Sequence, residues 1–312
     1  MYDVLRELGV DNFELRWDPR TETIVLIVFS EKGGVGKTAL VVALATVMAE
    51  NGKTVLVIDL DPRATATNEL GIDTPEWSVN DLLYIDPDDP APVSPRGLAA
   101  QAILPSGEDW PDNIHVLAAE RALGHRESDQ TPGMENRLAL ALEGVAEKYH
   151  LVLIDVPPRP GGKLVAAAVQ AATHALLPGT LEEDGYIGVR DAVVSIRRSR
   201  LTNGRPLVPI VGVLRNIVDR RKTGITDLYD EKFGQEWPAN STARCDDCQK
   251  TPTDPVTCPH VPRLIDGAAV PKYVVRQESR AARVPFTGAG TPEAARLQQA
   301  CVKILNHISE VA

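Results

Sequence analysis

The stretch FSEKGGVGKTAL, residues 29–40, joins a short apolar run to a helical pattern. The run before it, TIVLIVF (23–29), has the β-branched composition of a strand buried on both faces of a sheet. The residues after it predict a helix that ends at Gly52. Glycines between a strand and a helix N-terminus let backbone N–H groups converge on phosphate, so the stretch predicts a phosphate-binding loop.

Two lysines flank the glycines of this loop. Lys37 stands where an ordinary phosphate loop has the lysine that contacts the β- and γ-phosphates, and Thr38 offers a hydroxyl for Mg²⁺. The ordinary pattern Gly-x-x-x-x-Gly-Lys-Thr would begin with a glycine at position 31, where this chain has Glu31. Lys32 falls at one of its variable positions, so the ordinary loop does not need a lysine there. The predicted nucleotide-binding residues of the loop are Gly33, Gly34, Val35, Gly36, Lys37, Thr38 and Ala39.

Two acidic motifs follow, each at the end of an apolar run that is typical of a strand. VLVIDLDPRATAT (55–67) contains Asp59 and Asp61, and LVLIDVPPRPGG (151–162) contains Asp155. Open α/β sheets bind ligands outside the carboxyl ends of their strands. We therefore expect these three carboxylates to lie beside the phosphate-binding loop.

The motif KGGVGKT resembles the deviant Walker A motif of the ParA/MinD superfamily, whose members partition DNA, place division sites or carry metal clusters. In that family the early lysine reaches the partner's γ-phosphate across a nucleotide-sandwich dimer, and the resemblance implies this role for Lys32. It also implies that Lys37 and Asp61 are catalytic, with Asp61 orienting the attacking water. Asp155 is then the Walker B acid beside Mg²⁺, and Asp59 supports either the Mg²⁺ shell or the loop.

The resemblance covers roughly residues 23–311. It implies that Asn216 lies near the adenine and that Pro271 lies against the base. The main departure from the family pattern is the insertion near 240–262, and among the smaller departures Arg63, where glutamine is usual, matters most. An arginine two residues after Asp61 is expected to slow or re-tune hydrolysis.

The order of the predicted elements defines the fold class. Strands that alternate with helices predict an α/β protein with a mostly parallel sheet covered by helices on both faces, as in P-loop NTPases. Helices are predicted over 184–200 and 292–311. Residues 1–22 are interpreted as an N-terminal extension and 23–312 as one ATPase domain, with an insertion at about 235–262.

The composition argues against two classes of protein. A formal net charge of −10 disfavours a surface that coats nucleic acid or anionic membrane over its whole extent. No run approaches the ~18 apolar residues of a membrane span, and the first residues are charged, unlike a signal peptide. The last predicted helix is not basic and amphipathic, so we expect a cytoplasmic protein with no membrane partner.

A basic cluster contrasts with this acidic background. Such a cluster suits contacts with DNA phosphates that read no bases, although a solvated helix face with local salt bridges has the same composition. The candidate DNA-binding residues are Arg197, Arg198, Arg200, Arg215, Arg220, Arg221 and Lys222. Arg276, Arg280 and Arg283 follow further along the chain.

The resemblance and the basic cluster together predict an ATP-dependent, dimerising ATPase for plasmid or chromosome partition. Such a protein binds nonspecific DNA in its ATP state, associates with the nucleoid, and uses ATP and Mg²⁺. Its hydrolysis is slow and is stimulated by a ParB-like centromere-binding partner. The alternative is an iron–sulfur cluster carrier or another cargo-positioning ATPase of the same superfamily.

A cysteine-rich stretch has no counterpart in the family. CDDCQKTPTDPVTCPH places Cys245, Cys248, Cys258 and His260 in a polar segment that cannot order itself by burying apolar surface. Three thiolates and one imidazole form a ligand set for structural Zn²⁺, although the Cys-x-His spacing is tighter than in the usual finger. Reduced thiols on a flexible loop and an iron–sulfur site are the open alternatives, whereas Cys301 is expected in the core.

Overall fold

The computed structural model describes residues 14–18, 23–86, 88–91, 93–159, 161–219, 223–243, 258–272 and 275–312. The strands in this part are β1 (Ile24–Val28), β2 (Val55–Asp59), β3 (Ile103–Pro105), β4 (Ile114–Leu117), β5 (Leu151–Asp155), β6 (His174–Gly179), β7 (Ile210–Val218) and β8 (Leu264–Pro271). The α-helices are α1 (Lys37–Glu50), α2 (Thr65–Glu69), α3 (Val79–Leu83), α4 (Arg137–Leu142), α5 (Lys163–Ala171), α6 (Glu183–Thr202), α7 (Thr223–Glu236), α8 (Val275–Ala282) and α9 (Pro292–Val311).

All of these strands belong to one sheet, in the order β3-β4-β2-β5-β1-β6-β7-β8. Neighbouring strands are parallel except for the β3–β4 pair. A parallel sheet needs crossover connections, and helical crossovers cover both of its faces. The predicted fold class is confirmed.

The strand side chains divide between two hydrophobic cores, one on each face of the sheet. In β1, Ile24, Leu26 and Val28 pack into the core shared with α1 and α9. Val25 and Ile27 point to the opposite face and pack into the core shared with α4, α5 and α6. Successive strand residues face opposite sides, so a strand buried on both faces has to be apolar throughout.

The register of the central strands decides where the polar groups meet. Asp59 at the end of β2 lies opposite Asp155 at the end of β5, and Val28 at the end of β1 also lies opposite Asp155. The phosphate-binding loop begins directly after β1. Parallel pairing therefore brings the loop and both acidic motifs to one edge of the sheet.

Two segments differ from the sequence-based expectation. The amphipathic run 134–149 predicts one helix, but α4 occupies only its middle, and Gly144 follows with a φ of 71° that a continuing helix does not allow. Strand β8 is not predicted, because its sequence includes the exposed residue Asp266 and Gly267 with a φ of 63°. Pairing with β7 makes this segment a strand.

Residues 14–18, in the predicted extension, dock on helix α9. Trp17 packs into the core beneath α9. The backbone N–H of Arg16 donates to Asn306 Oδ1 at 2.7 Å, and that of Asp18 donates to Ser309 Oγ at 2.9 Å. This short stretch is thus held on the ATPase domain by both apolar and polar contacts.

The flanks of the predicted insertion meet at one arginine. Arg263 donates through Nε to the carbonyl of Ser241 at 2.8 Å and through Nη1 to the carbonyl of Cys258 at 2.9 Å. The chain therefore leaves and rejoins the domain at neighbouring points. Among the described residues, no helix is long and apolar enough to cross a membrane.

Candidate nucleotide-binding site

The loop between β1 and α1 has the backbone conformation that a phosphate-binding loop requires. Helix α1 begins at Lys37, directly after Gly36, whose φ is 81°. A Cβ atom at Gly36 would lie 2.9 Å from Asn216 Nδ2, so a larger residue would clash as well as strain the backbone. The first N–H groups of α1 therefore point into the cleft above the strands.

Lys37 lies behind this loop and is almost fully buried. Its ammonium donates to the carbonyls of Ser30 and Lys32, both at 3.1 Å. Burial lowers the pKa of Lys37, while the nearby carboxylates of Asp155 and Asp61 raise it. The loop thus positions a cation at the edge where a nucleotide's phosphates would bind.

Asp155 is a buried carboxylate without a well-formed hydrogen bond in the described part of the chain. Neither of its oxygens accepts a hydrogen bond within the described part of the chain. Burial first, and the neighbouring Asp59 second, raise the pKa of Asp155 to about 8, although Thr38 and Lys37 partly offset both effects. A buried, unpaired carboxylate is costly for folding, so this side chain is placed for a ligand.

The donor set beside Asp155 fits a magnesium ion. Mg²⁺ prefers hard oxygen ligands and is typically held by one or two protein groups together with substrate phosphates. Thr38 and Asp155 are the residues that would hold it. When bound, the ion neutralises the charge of the phosphate groups.

Asp59 differs from Asp155 because both oxygens of the Asp59 carboxylate accept hydrogen bonds. Oδ1 accepts the N–H of Asp61 at 3.0 Å, and Oδ2 accepts both the N–H and the hydroxyl of Thr67 at 2.9 Å. Burial raises the pKa of Asp59 to about 6, while those hydrogen bonds lower it. Of the two roles implied by the resemblance, this geometry favours support of the loop over contact with Mg²⁺.

Asp61 lies in a tight turn at the edge of the cleft. Its Oδ1 accepts the N–H of Arg63 at 3.0 Å, and its carbonyl accepts the N–H of Ala64 at 2.8 Å. Ala64 has a φ of 52°, which is unusual for a residue with a Cβ. The turn fixes the position of the Asp61 carboxylate next to the cleft.

The cleft itself has a volume of about 560 Å³ and joins the phosphate loop to the carboxyl end of β8. It brings together most of the residues that the sequence assigns to the nucleotide. The described lining residues include Gly34, Gly36, Lys37, Thr38, Ala39, Asp61, Arg63, Asn216, Pro271, Lys272, Arg276 and Arg280.

Asn216 contacts the phosphate loop. Its Nδ2 donates to the carbonyl of Val35 at 2.7 Å. The next residue, Ile217, has a φ of 53°, which is strained for a β-branched side chain, and it would meet a Cβ at Gly36 at 2.9 Å. This irregular end of β7 therefore packs directly on the loop.

Lys32 lies outside the cleft that Lys37 faces. Its ammonium pairs with Asp184 of α6, and both side chains are largely exposed. Helix α6 packs tightly here, because a Cβ at Gly188 would lie 2.7 Å from the Cβ of Lys32, and the Gly188 carbonyl accepts the N–H of Glu31 at 3.2 Å. Lys32 is not among the described residues that line the cleft.

A buried ion pair that the sequence analysis missed joins α2 to α8. The carboxylate of Glu69, with its side chain 1% exposed, contacts the guanidinium groups of Arg276 and Arg280. Arg283, which directly follows α8, donates to the Asn68 carbonyl at 2.7 Å, so three arginines from α8 and its end hold α2. Their spacing was visible in the sequence, but their acidic partner lies about 200 residues away, and no local pattern indicates it.

The candidate DNA-binding arginines have different environments. Arg200 is buried and donates to the carbonyl of Ala172, and burial lowers its pKa to about 10. Arg215 pairs with Asp230. Arg197 donates to the carbonyl of His260 at 3.1 Å, whereas Arg198 is exposed. Residues Arg220, Arg221 and Lys222 lie outside the described part of the chain.

Only half of the predicted zinc ligands are described. Cys258 is buried and His260 is half-buried, whereas Cys245 and Cys248 lie outside the described residues. The zinc site stays a prediction, which metal analysis of the purified protein tests. Cys301 is fully buried on the inner face of α9, in the core.

Comparison with known proteins agrees with this site. A family model described as an AAA domain matches residues 22–205. The chain belongs to this AAA domain family and to the ParA/MinD superfamily of deviant Walker A ATPases. It is thus a P-loop ATPase of this superfamily.

Three similar proteins illustrate the range of this superfamily. The chromosome partitioning protein ParA of Caulobacter vibrioides is 32% identical over 203 residues, which are 64% of this chain and 71% of that protein. Cobyrinic acid a,c-diamide synthase of Mycobacterium smegmatis, with bound ADP and magnesium, is 27% identical at a TM-score of 0.59, over 69% of this chain and 83% of that one. Apo McdA of Cyanothece shares the fold, with a TM-score of 0.68 and 16% identity over 91% of this chain and 99% of that one.

Proposed function

We propose that this protein is an ATP-driven switch for DNA partition, which dimerises around ATP and returns to the monomer after hydrolysis. The observation that supports this most is the contrast between the two lysines. Lys37 is buried behind its own loop, whereas Lys32 is exposed on the outer side, away from the cleft of its own chain. An exposed cation beside a phosphate site is suited to reach the phosphates of a second copy.

The proposed reaction is the hydrolysis of ATP to ADP and phosphate. The loop N–H groups and Lys37 bind the phosphates, and Asp61 orients the attacking water from its fixed turn. Thr38 and Asp155 would hold Mg²⁺. Lys32 of a second copy supplies positive charge as negative charge shifts during phosphoryl transfer, so hydrolysis depends on dimerisation.

DNA is the proposed binding partner of the ATP-bound dimer. The similarity to a chromosome partitioning ParA supports this, and Arg198 is an exposed arginine of the predicted basic cluster. Contacts made only to phosphates give nonspecific DNA binding. Recognition of a particular DNA site is therefore assigned to a ParB-like partner protein. The same partner stimulates the slow hydrolysis of ATP. The proposed location is the cytoplasm, on the nucleoid.

The nucleotide-dependent molar mass of the protein tests this proposal. We expect a monomer without nucleotide or with ADP, and a dimer with ATPγS, by size-exclusion chromatography with light scattering. Lys32→Ala should still bind ATPγS but should lose most of the dimer and the hydrolysis. Lys148→Ala, which changes an exposed lysine on the far side of the domain, is the matched control and should behave like wild type.

A molar mass that stays constant in every nucleotide state, in wild type and in Lys32→Ala alike, would contradict the switch. DNA binding is tested separately by gel shift with ATPγS at low salt. No shift there would leave an ATPase without a DNA role. A purified protein that is brown would instead favour the cluster carrier.

A further inference from the structure

Arg63 is the one arginine lining the cleft whose side chain has no partner among the described residues. Arg276 and Arg280 line the same cleft, but both pair with Glu69. Arg63 is exposed, and its backbone N–H donates to Asp61 Oδ1. Within the described part of the chain, its guanidinium is therefore available to bind an anion in the cleft.

The backbone of Arg63 is held on the same turn as Asp61. Its N–H donates to Asp61 Oδ1 at 3.0 Å, and the N–H of Ala64 donates to the Asp61 carbonyl at 2.8 Å. Helix α2 begins directly after this turn, and Thr67 in α2 is hydrogen bonded to Asp59 at the end of β2. Arg63 thus extends from a rigid base into a cleft that Lys37 also lines.

We propose that Arg63 is a further catalytic residue, whose guanidinium contacts the γ-phosphate of ATP bound in the cleft of its own subunit. This inference rests on the proposed ATPase function. It assigns a role to the position where the family usually has glutamine, which is uncharged, and it replaces the expectation from sequence that an arginine there slows hydrolysis. Arg63 and the partner's Lys32 would then bring positive charge to one phosphate from two subunits.

Hydrolysis is a displacement at the γ-phosphorus of ATP. A water oxygen bonds to the γ-phosphorus, while the bond between that phosphorus and the β–γ bridging oxygen breaks. The electron pair of that bond stays on ADP, one hydrogen of the water stays on the phosphate, and its other proton passes to bulk water, so the products are ADP, inorganic phosphate and a proton. Arg63 transfers no proton because a guanidinium stays charged, and it acts only by stabilising the negative charge.

Steady-state hydrolysis is the first test. Arg63→Ala and Arg63→Gln should lower kcat by roughly tenfold or more, and Arg63→Lys should retain part of the rate because it keeps the charge. Arg121→Ala is the matched control, since Arg121 is an exposed arginine that borders the neighbouring groove beside Arg63 but does not line the cleft. It should hydrolyse ATP at the wild-type rate.

Nucleotide affinity gives a readout that does not depend on turnover. Arg63→Ala should bind ATPγS more weakly than wild type but ADP equally well, measured by calorimetry, because only the triphosphate has the group that Arg63 contacts. A general disturbance of the loop would weaken both nucleotides together. Wild-type kcat and a wild-type ratio of the two affinities in Arg63→Ala would overturn the proposal.

Mixing variants tests whether Arg63 acts in its own subunit. A mixture of Arg63→Ala and Asp61→Ala should be no more active than the mean of its two components, because each site of a mixed dimer lacks one of the two groups. Lys32→Ala mixed with Asp61→Ala should regain up to roughly a quarter of the wild-type rate, which shows that mixed dimers form. Recovery in the first mixture would overturn the assignment to the same subunit.

These outcomes are distinguishable from a failure of the proposed function. If the wild-type protein hydrolyses no ATP, the ATPase proposal fails, while the two affinities still report whether Arg63 contacts the γ-phosphate. If the wild-type protein hydrolyses ATP and Arg63→Ala keeps the wild-type kcat and the wild-type ratio of the two affinities, the role of Arg63 is wrong while the proposed ATPase function stands.

Discussion

The nucleotide cleft and the arginine-rich segments, which we define as residues 197–215 and 276–283, use charge in opposite ways. Beside the cleft, Asp155 is buried and has no hydrogen-bond donor among the described residues, and within the cleft the Arg63 side chain likewise has no partner among them. In the arginine-rich segments most guanidinium groups have a partner within the protein, for example Arg200, which donates to the carbonyl of Ala172.

The difference shows that the density of charge in a sequence does not identify a binding surface. Unsatisfied polar groups in a buried site cost folding free energy, and a protein keeps them where a ligand will pair with them. Arginines that bridge helices or bind carbonyls stabilise the fold instead. The free charges, and not the number of charges, point to function.

The largest effect should come from Lys37. Lys37→Ala removes the buried ammonium behind the loop, and the loss of its contacts with two phosphates should weaken ATP binding by on the order of 100-fold or more. Titration with a fluorescent ATP analogue measures this.

Asp61→Ala should keep the affinity for ATP and lose hydrolysis. Hydrolysis at the wild-type rate would contradict the assignment of Asp61 to the attacking water.

Arg200→Ala and Arg198→Ala should separate the two uses of arginine within one helix. Arg200→Ala leaves the carbonyl of Ala172 unpaired in a buried site, so the free energy of unfolding should fall by about 2–4 kcal/mol. Arg198→Ala changes an exposed side chain and should leave stability unchanged. Urea denaturation monitored by circular dichroism measures both, and equal stability of the two variants would contradict the burial of Arg200.

Asp155→Asn should change the pH dependence of stability in the nucleotide-free protein. The pKa of Asp155 is raised from 3.8 to about 8, so its contribution to stability is present below about pH 4 and is lost as the pH rises toward 8. Asparagine does not ionise and escapes this loss. The variant should therefore gain stability over wild type, on the order of 1 kcal/mol or more at pH 8 and less at pH 5.

Thermal unfolding at the two pH values, without Mg²⁺, measures that gain. A difference between variant and wild type that is the same at both pH values would mean that Asp155 ionises in the folded state as it does in water.

The smallest effect concerns DNA. Arg198→Ala should reduce the slope of log affinity against log salt by about one unit in the ATPγS state, because one phosphate contact is lost. The slope comes from gel shifts or fluorescence anisotropy at several salt concentrations. Arg215→Ala is the comparison variant, since Arg215 already pairs with Asp230. If Arg215→Ala lowers the slope as much as Arg198→Ala does, pairing within the protein does not predict which arginines bind DNA.

Local sequence was sufficient for the phosphate loop and for the elements around it. The loop lies within a few consecutive residues, and the rule that parallel strands bind ligands at their carboxyl ends places Asp155 and Asp61 beside it. The last helix was predicted over 292–311, its observed bounds, because a regular apolar face and a proline at its start define it.

The tertiary structure alone decided which charged groups are free. Asp59 and Asp155 end neighbouring strands with similar sequences. Thr67 donates two hydrogen bonds to the Asp59 carboxylate, whereas no described residue donates a well-formed hydrogen bond to Asp155. Arg200 and Arg198 are two residues apart on α6, yet only Arg200 faces the interior. A sequence gives each side chain its charge and its local conformation, but the partner that neutralises it comes from a distant segment, and long-range packing selects that partner.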